Sequence, residues 1–324
     1  MAVPGPSRDT AGFCGSRLAA VAASRPERVV DNQDLGNSLH VSPDWIERRV
    51  GIRERRYAGP GESIPRMAAD AASKALSTAG LVPSDVDLLV LGTCSMPSPM
   101  PGGGVMTAAE LGIPNVGAFD VNAACAGFCY GLGIADGMVR SGTSRCALVI
   151  GAERMTDWVD PEDTDTAPIF ADGAGAAVVL PAERPGVHPV VWGGDGDRSS
   201  LVAIPDRWSH MKMQGQPVYR WATTELIAVG EEACRRAGLA PSELKGLVTH
   251  QANLRMIDRM AEGLGAVNAA VARDVVHSGN TSAASVPLAL SRLIDLGEVR
   301  SGDPVLLLGF GAGLSYAAQV VDCP

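Results

Sequence analysis

The segment AGLVPSDV at residues 79–86 recurs as AGLAPSEL at residues 237–244. Subtracting 79 from 237 gives an offset of 158 positions. The same offset relates three further pairs of residues, which are Asn122 and Asn280, Leu132 and Leu290, and Gly151 and Gly309. Four matches in one register favour an internal duplication over chance. The chain is therefore predicted to contain two related halves, residues 1–185 and residues 186–324, joined within a Pro- and Gly-rich stretch at 181–191.

Each half alternates helical and strand patterns. The spacing of apolar residues predicts helices at 64–80, 127–139, 225–238 and 283–296. Short apolar runs predict buried strands at 87–92, 146–151, 175–180, 247–249 and 305–308. Alternation of this kind indicates an α/β protein with largely parallel sheets.

Composition excludes several classes of protein. The chain has 324 residues, of which 46% are hydrophobic and 19% charged, so an intrinsically disordered chain is excluded. A net charge of −9 makes a nucleic-acid-binding domain unexpected. No apolar run approaches the roughly 18 residues of a membrane helix, so no membrane association is predicted.

The termini and cysteines indicate a reducing, cytoplasmic location. Residues 1–9 have no charged segment followed by an apolar one, so they are not expected to be a secretory signal. The chain has seven cysteines, an odd number, at irregular spacing. It contains no CxxC pair of the kind that binds zinc. We therefore expect no disulfide framework and no metal site.

Cys125 is the candidate nucleophile. It lies among small residues in DVNAACAGF (residues 120–128), just before a predicted helix. The partial positive charge of a helix N-terminus lowers the pKa of a thiol and favours the thiolate. The other six cysteines are interpreted as structural.

Two further polar residues are expected near Cys125. His250 ends a predicted strand, and sites in α/β sheets form at the carboxyl ends of strands. The 158-residue offset places Cys125 and Asn280 at corresponding junctions between a turn and a helix. Asn280 is also suited to cap that helix. We predict that the three side chains converge.

A glycine turn and a group of arginines are possible binding elements. GFGAG at residues 309–313 lacks the features of a phosphate loop, but its backbone N–H groups could complete an oxyanion hole with the amide of Cys125. The five arginines between residues 48 and 56, with Trp45 before them, form a basic patch suited to phosphate and adenine groups.

Together these residues resemble the β-ketoacyl-acyl-carrier-protein synthase III family of the thiolase-like superfamily. The motifs that carry the resemblance are DVNAACAGF, THQANLRMID (residues 249–258), HSGNTSAASVPLAL (residues 277–290) and GFGAGLSY (residues 309–316). The resemblance spans about residues 45–319. It implies a five-layered αβαβα fold built from two similar halves, usually as a homodimer, and a ketosynthase that in some relatives primes polyketide synthesis.

The resemblance also implies residue roles. Cys125 would be the acylated nucleophile, His250 and Asn280 its partners, and the amides of Cys125 and Ala312 the oxyanion hole. Binding roles fall on four further positions, with Trp45 and Arg49 at the CoA nucleotide, Asn253 at the pantetheine channel and Arg255 at the docking site for acyl carrier protein. Acyl-CoA and malonyl-acyl carrier protein would be substrates, with no resident cofactor.

The implied reaction is acyl transfer to Cys125 followed by decarboxylative Claisen condensation, which initiates fatty acid or polyketide synthesis. The segment at residues 94–104 lies where relatives carry acyl-pocket and dimer-contact residues, and it is unusually rich in Pro and Met. Because Met side chains adapt to irregular shapes, the starter acyl group stays open.

Three alternatives are weighed against this reaction. An acyltransferase of the same fold would transfer the acyl group without condensation. A cysteine hydrolase would need a triad acid between Cys125 and His250, for example Asp172. A partner subunit without catalysis would be expected to lack the nucleophile, which is present here.

Overall fold

The computed structural model describes residues 13–324. The sequence interpretation of residues 1–9 falls outside this range. The strands are β1 (Gly15–Ser24), β2 (Arg28–Asp31), β3 (Glu54–Tyr57), β4 (Leu88–Gly92), β5 (Gly117–Val121), β6 (Ala147–Arg154), β7 (Asp172–Ala182), β8 (Val191–Gly194), β9 (Val202–Ala203), β10 (Lys212–Met213), β11 (Gly246–Thr249), β12 (Ala270–Val271), β13 (Pro304–Gly311) and β14 (Ser315–Asp322).

The α-helices surround and separate these strands. They are α1 (Asn32–Leu39), α2 (Pro43–Val50), α3 (Ile64–Ala79), α4 (Gly103–Glu110), α5 (Gly127–Arg140), α6 (Gly215–Arg236), α7 (Leu254–Leu264), α8 (Val275–Ser278) and α9 (Ser285–Asp295). Two short 3₁₀ turns matter for the site, Ala124–Ala126 before α5 and Ser282–Ala284 before α9. Within residues 13–324, no helix combines the length and apolar character that crossing a bilayer requires.

Two five-stranded sheets have the same topology. The first has the strand order β1-β7-β6-β4-β5, and the second, written from its other edge, has β8-β14-β13-β11-β12. Each strand of one sheet therefore has a counterpart in the other. The predicted boundary between residues 185 and 186 lies in the segment that connects β7 of the first sheet to β8 of the second.

The sheets and helices form five layers. Helices α5 and α9 lie between the sheets, where Phe128, Leu132 and Leu290 share one apolar core with both of them. Helix α3 packs on the outer face of the first sheet, and α6 and α7 pack on the outer face of the second. The predicted five-layered thiolase-like αβαβα architecture is confirmed.

The prediction of largely parallel sheets is wrong. In each sheet two pairings are parallel and two are antiparallel, because β7 and β14 return as hairpin-like neighbours of β6 and β13. Periodicity reports that a strand is buried but not which strand lies beside it. The helix predicted at 225–238 begins ten residues earlier, at Gly215.

The repeat extends to unusual backbone conformations. Ala124 and Ser282 are 158 residues apart, and both have a left-handed backbone, with φ of 46° and 50°. Left-handed conformations are uncommon in residues other than glycine, and they cluster at functional sites. The duplication therefore preserved a strained turn in both halves, immediately before each central helix.

Candidate active site

The three residues that the sequence predicts to converge all line one cavity of about 760 Å³. Cys125, His250 and Asn280 all line it, together with the turn at Phe310, Gly311 and Ala312. Cys125 comes from the first half of the chain, whereas the others come from the second. The predicted convergence of the three side chains on one site is therefore observed.

Cys125 lies in the 3₁₀ turn that precedes α5, and its side chain is partly buried. Burial raises the pKa of the Cys125 thiol to about 11. The Ser282 hydroxyl and the backbone N–H groups of Cys125 and Ala312 lower that pKa, while the charge of Glu153 raises it. The expectation of an ionised thiol in the free protein is wrong, because desolvation outweighs the nearby donors.

The two amides that interact with the thiol are those expected to form the oxyanion hole. The N–H of Cys125, in the 3₁₀ turn, and the N–H of Ala312, in the turn between β13 and β14, both donate to the Cys125 Sγ. Neighbouring Gly311 makes this approach possible. A Cβ at Gly311 would lie 2.8 Å from both Cβ and Sγ of Cys125, so a side chain there would collide with the nucleophile.

His250 is held at the end of β11 with one ring nitrogen engaged. Its Nδ1 is 2.7 Å from the Ser285 Oγ, and its ring meets that of Phe310 edge to face at 5.2 Å. The side chain is almost fully buried, and burial lowers the pKa of His250 to about 3. The imidazole is therefore neutral at physiological pH and able to accept a proton or to donate one.

Asn280 is anchored by its backbone. Its N–H donates to the Ile169 carbonyl, and its own carbonyl accepts from the Ala171 N–H, both at 2.9 Å. The Oδ1 of Asn280 accepts from the Ser282 N–H at 2.9 Å. With Oδ1 engaged, the Nδ2 group is the donor that the side chain can offer to the cavity.

Sequence reasoning missed Glu153, which lies fully buried at the end of β6. Its carboxylate accepts from the Thr93 hydroxyl and the Ser282 hydroxyl at 3.0 Å, and from the Ser95 hydroxyl. Burial raises the pKa of Glu153, while the hydrogen bonds from Ser95, Cys94 and Ser282 oppose that shift. A charged residue at the carboxyl end of an apolar strand was the signal available in the sequence.

Glu153 also engages the backbone of both halves. The Cys94 N–H donates to it at 3.1 Å and the Ala283 N–H at 3.4 Å. The Cys94 thiol donates at 3.3 Å, and burial raises the pKa of that thiol well above its usual value. The carboxylate thus joins the loop after β4 to the turn that precedes α9.

Three of the four predicted binding residues line the cavity, and the fourth does not. Arg49, Asn253 and Arg255 line the cavity, whereas Trp45 contacts it through Arg49, whose guanidinium lies 5.0 Å from the indole centroid. Arg49 also pairs with Asp165, another lining residue. Asn253 caps α7, since its side-chain Oδ1 accepts from the backbone N–H of Met256 at 2.9 Å.

The basic patch expected from the five arginines does not form as a unit. Arg55 is fully buried and donates to Asn32 Oδ1 at 2.9 Å and to the Pro168 carbonyl at 3.0 Å. Arg53 pairs with Glu47 on the surface. Of these arginines only Arg49 lines the cavity. Strand β3 directs alternate side chains to opposite faces, and this places the Arg55 side chain in the interior.

The triad of a cysteine hydrolase is not assembled. Asp172 accepts from the Ala58 and Thr156 backbone N–H groups and from the Thr156 hydroxyl at 2.6 Å. The partner of His250 Nδ1 is the Ser285 hydroxyl, not a carboxylate. Across residues 13–324, no three His, Cys, Asp or Glu side chains are grouped so as to hold a metal ion.

Two family models match the chain. Residues 119–196 match 3-oxoacyl-[acyl-carrier-protein] synthase III, and residues 234–323 match the C-terminal domain of the same enzymes. A Streptomyces coelicolor protein named beta-ketoacyl-[acyl-carrier-protein] synthase III 4 is 50% identical over 313 residues, which are 96% of this chain and 99% of that protein.

Solved structures agree with the sequence matches. The priming β-ketosynthase of the R1128 polyketide biosynthetic pathway superposes with a TM-score of 0.93 at 42% identity, covering 98% of this chain and all of that one. The 3-oxoacyl-(acyl carrier protein) synthase III of Pseudomonas aeruginosa has a TM-score of 0.90 at 33% identity, covering 96% and 98% of the two chains.

Proposed function

Because the chain belongs to the 3-oxoacyl-[acyl-carrier-protein] synthase III family, it is a condensing enzyme that initiates fatty acid or polyketide synthesis, and we propose that Cys125, His250 and Asn280 perform its chemistry. The observation that carries this assignment is the meeting of all three side chains with two thiol-directed amides in one cavity.

Acyl transfer comes first. His250 Nε2 accepts the Cys125 proton as the sulfur attacks the thioester carbonyl of an acyl-CoA. The carbonyl oxygen becomes an oxyanion, and the N–H groups of Cys125 and Ala312 stabilise it. The carbon–sulfur bond to CoA then breaks, and CoA leaves as a thiol with the proton that His250 returns. A neutral thiol beside a neutral imidazole supports this order, since no charge is created until the substrate is bound.

Condensation follows on the acyl-enzyme. A malonyl thioester loses CO₂, and the electron pair of the broken carbon–carbon bond moves into an enolate. His250 and Asn280 each donate a hydrogen bond to the enolate oxygen. The enolate carbon attacks the acyl carbonyl, the carbon–sulfur bond to Cys125 breaks, and a β-ketoacyl thioester leaves; the Cys125 thiolate then takes up one proton from solvent water to restore the thiol. This scheme invokes no resident cofactor.

The cavity mouth supplies the binding groups. Arg49 and Arg255 place two cations beside Asn253 on the cavity lining. Guanidinium groups bind phosphates in a bidentate manner, so they suit the phosphates of CoA and of a phosphopantetheine arm. We assign Trp45 and Arg49 to the CoA nucleotide, Asn253 to the pantetheine and Arg255 to the acidic surface of acyl carrier protein.

A homodimer is supported by one edge of the first sheet. Strand β5 ends that sheet, and Phe119 on this strand is exposed. Val105 and Met106 on neighbouring α4 and Met100 before it are also exposed. An open sheet edge beside exposed apolar side chains is an aggregation hazard unless another chain covers it. We propose that a second copy pairs there.

Mass spectrometry tests the assignment. The protein is incubated with a panel of short acyl-CoAs, and an adduct of one acyl group is expected at Cys125 and absent in Cys125→Ala.

The acyl-enzyme is then mixed with malonyl-acyl carrier protein. In Asn280→Ala the acyl adduct is expected to persist, while decarboxylation falls about 10²–10³-fold through loss of one enolate donor. No adduct across the panel would contradict the proposal, and condensation at an unchanged rate in Asn280→Ala would remove that residue from it.

A further inference from the structure

His250 has two different duties in the proposed reaction. To receive the Cys125 proton, its Nε2 must carry a lone pair, and the ring proton must then be on Nδ1. To donate to the enolate, Nε2 must carry the proton, and Nδ1 must then be the lone pair. The partner of Nδ1 decides which of these neutral tautomers is stable in a buried site.

The partner here is a hydroxyl. Ser285 Oγ lies 2.7 Å from His250 Nδ1, and Ser285 itself is almost fully buried. A carboxylate or carbonyl at this place would hold the proton on Nδ1, and an amide N–H would hold the lone pair there. A hydroxyl has one proton to donate and two lone pairs to offer, so it can satisfy Nδ1 in either state.

The Gln251 backbone limits how the Ser285 hydroxyl is used. The Gln251 N–H donates to Ser285 Oγ at 3.3 Å and so occupies one of its lone pairs. One lone pair and the hydroxyl proton are left for His250. Rotation about the Cβ–Oγ bond presents one or the other to Nδ1, while the amide bond keeps the oxygen in place.

We propose that Ser285 is a positioning residue that stabilises both neutral tautomers of His250 and so lets one imidazole act as base in acyl transfer and as donor in decarboxylation. Changing tautomer removes the proton from one ring nitrogen and adds one to the other by exchange with solvent water, so it consumes no net proton. The inference rests on the proposed function of His250.

Removal of the hydroxyl is expected to separate the two half-reactions. In Ser285→Ala, a proton on Nδ1 would have no acceptor, and the freed Gln251 N–H could donate only to an Nδ1 lone pair. The tautomer with its proton on Nε2 is then favoured. Acylation of Cys125 is expected to slow about 10²-fold, the lower range for losing a general base. Decarboxylation, measured in a Cys125→Ala background, is expected to stay within about threefold.

Nitrogen-15 NMR of histidine-labelled protein gives a readout that simple damage to the fold would not reproduce. The two ring nitrogens of His250 are expected to show averaged shifts in the natural protein and the pattern of a single Nε2–H tautomer in Ser285→Ala. Ser285→Thr keeps the hydroxyl and is expected to recover acylation. Ser291→Ala changes another buried serine of α9 and is the control.

The outcomes separate the two proposals. Equal losses in both half-reactions, or the same ring-nitrogen shifts in the natural protein and in Ser285→Ala, would overturn the role of Ser285. Failure of the natural protein to form an acyl adduct would instead overturn the proposed function. A natural protein that reacts normally, with a Ser285→Ala variant that matches it, would leave the function standing and remove Ser285 from it.

Discussion

At the scale of single residues, the thiol of Cys125 and the imidazole of His250 are both neutral for the same reason. Burial raises the pKa of Cys125 to about 11 and lowers that of His250 to about 3. An ion pair between them would have to be desolvated in the resting enzyme, which is costly. Proton transfer during attack avoids that cost in the resting enzyme, because the imidazolium of His250 forms only together with the oxyanion that the two amides stabilise.

The raised pKa of Cys125 predicts how the free protein reacts with iodoacetamide. Below its pKa a thiol gains about tenfold in thiolate for each pH unit, so alkylation of Cys125 is expected to rise from pH 6.5 to 9.5 without a plateau. Peptide mass spectrometry follows the modification, with the exposed Cys14 as an internal reference for the reagent. A plateau near pH 7 would show that the thiol is ionised in the resting site.

Gly311 predicts a steric limit on the nucleophile. In Gly311→Ala the new Cβ would sit 2.8 Å from the Cys125 Sγ, and the displaced thiol is expected to acylate at least about 10²-fold more slowly. Gly137→Ala is the control, because that glycine is exposed on α5 with no atom within 4 Å of a new Cβ. The control is expected to acylate normally, and normal acylation in Gly311→Ala would contradict the steric argument.

At the scale of secondary-structure elements, Glu153 connects pieces that are distant in sequence. Its donors come from the loop after β4 and from the turn before α9, so one carboxylate at the end of β6 orders both. A buried carboxylate is stable only when such donors replace its hydration. The same turn contains Ser282, which contacts both Glu153 and the thiol of Cys94.

Substitution of Glu153 is therefore expected to weaken the fold. In Glu153→Gln, an amide NH₂ would face a backbone N–H of Cys94 or Ala283, which can only donate, and the free energy of unfolding is expected to fall by about 2–4 kcal/mol. Urea denaturation followed by circular dichroism measures the change. Glu298→Gln, at an exposed site, is expected to change stability by less than about 0.5 kcal/mol. If the two variants were equally stable, the Glu153 network would have no structural role.

At the scale of the whole molecule, the duplication places one active site at the meeting of two halves. Each half supplies a sheet with a central helix behind a strained turn, but the first turn carries the nucleophile Cys125 and the second carries Ser282, whose hydroxyl interacts with that thiol. The halves have diverged in chemistry while keeping topology. The edge strand β5 of the first half lies beside exposed apolar side chains, and this is the edge where we propose that a second copy pairs.

The proposed homodimer predicts the effect of a charge on that edge. Phe119→Glu would bury a carboxylate between two β5 strands, so the variant is expected to sediment as a monomer while the natural protein sediments as a dimer. Leu296→Glu changes an exposed leucine at the end of α9 and is expected to leave the dimer intact. A monomeric natural protein, or a dimeric Phe119→Glu variant, would contradict the proposed interface.

The sequence by itself determined the duplication, the α/β class and the convergence of Cys125, His250 and Asn280. Each of these depends on local periodicity or on a register of 158 residues, both of which survive in the linear chain. The family resemblance added the five layers and the position of Ala312.

Only the tertiary structure decided the pairing of strands, the ionisation of the site and the supporting contacts. Strand β7 lies between β1 and β6, an arrangement that no local pattern encodes. The pKa of Cys125 depends on how many atoms of distant segments exclude water from it, which a helix N-terminus alone does not reveal. Ser285 is 35 residues from His250, and Glu153 is 129 from Ser282, so these partners meet only when the chain is folded.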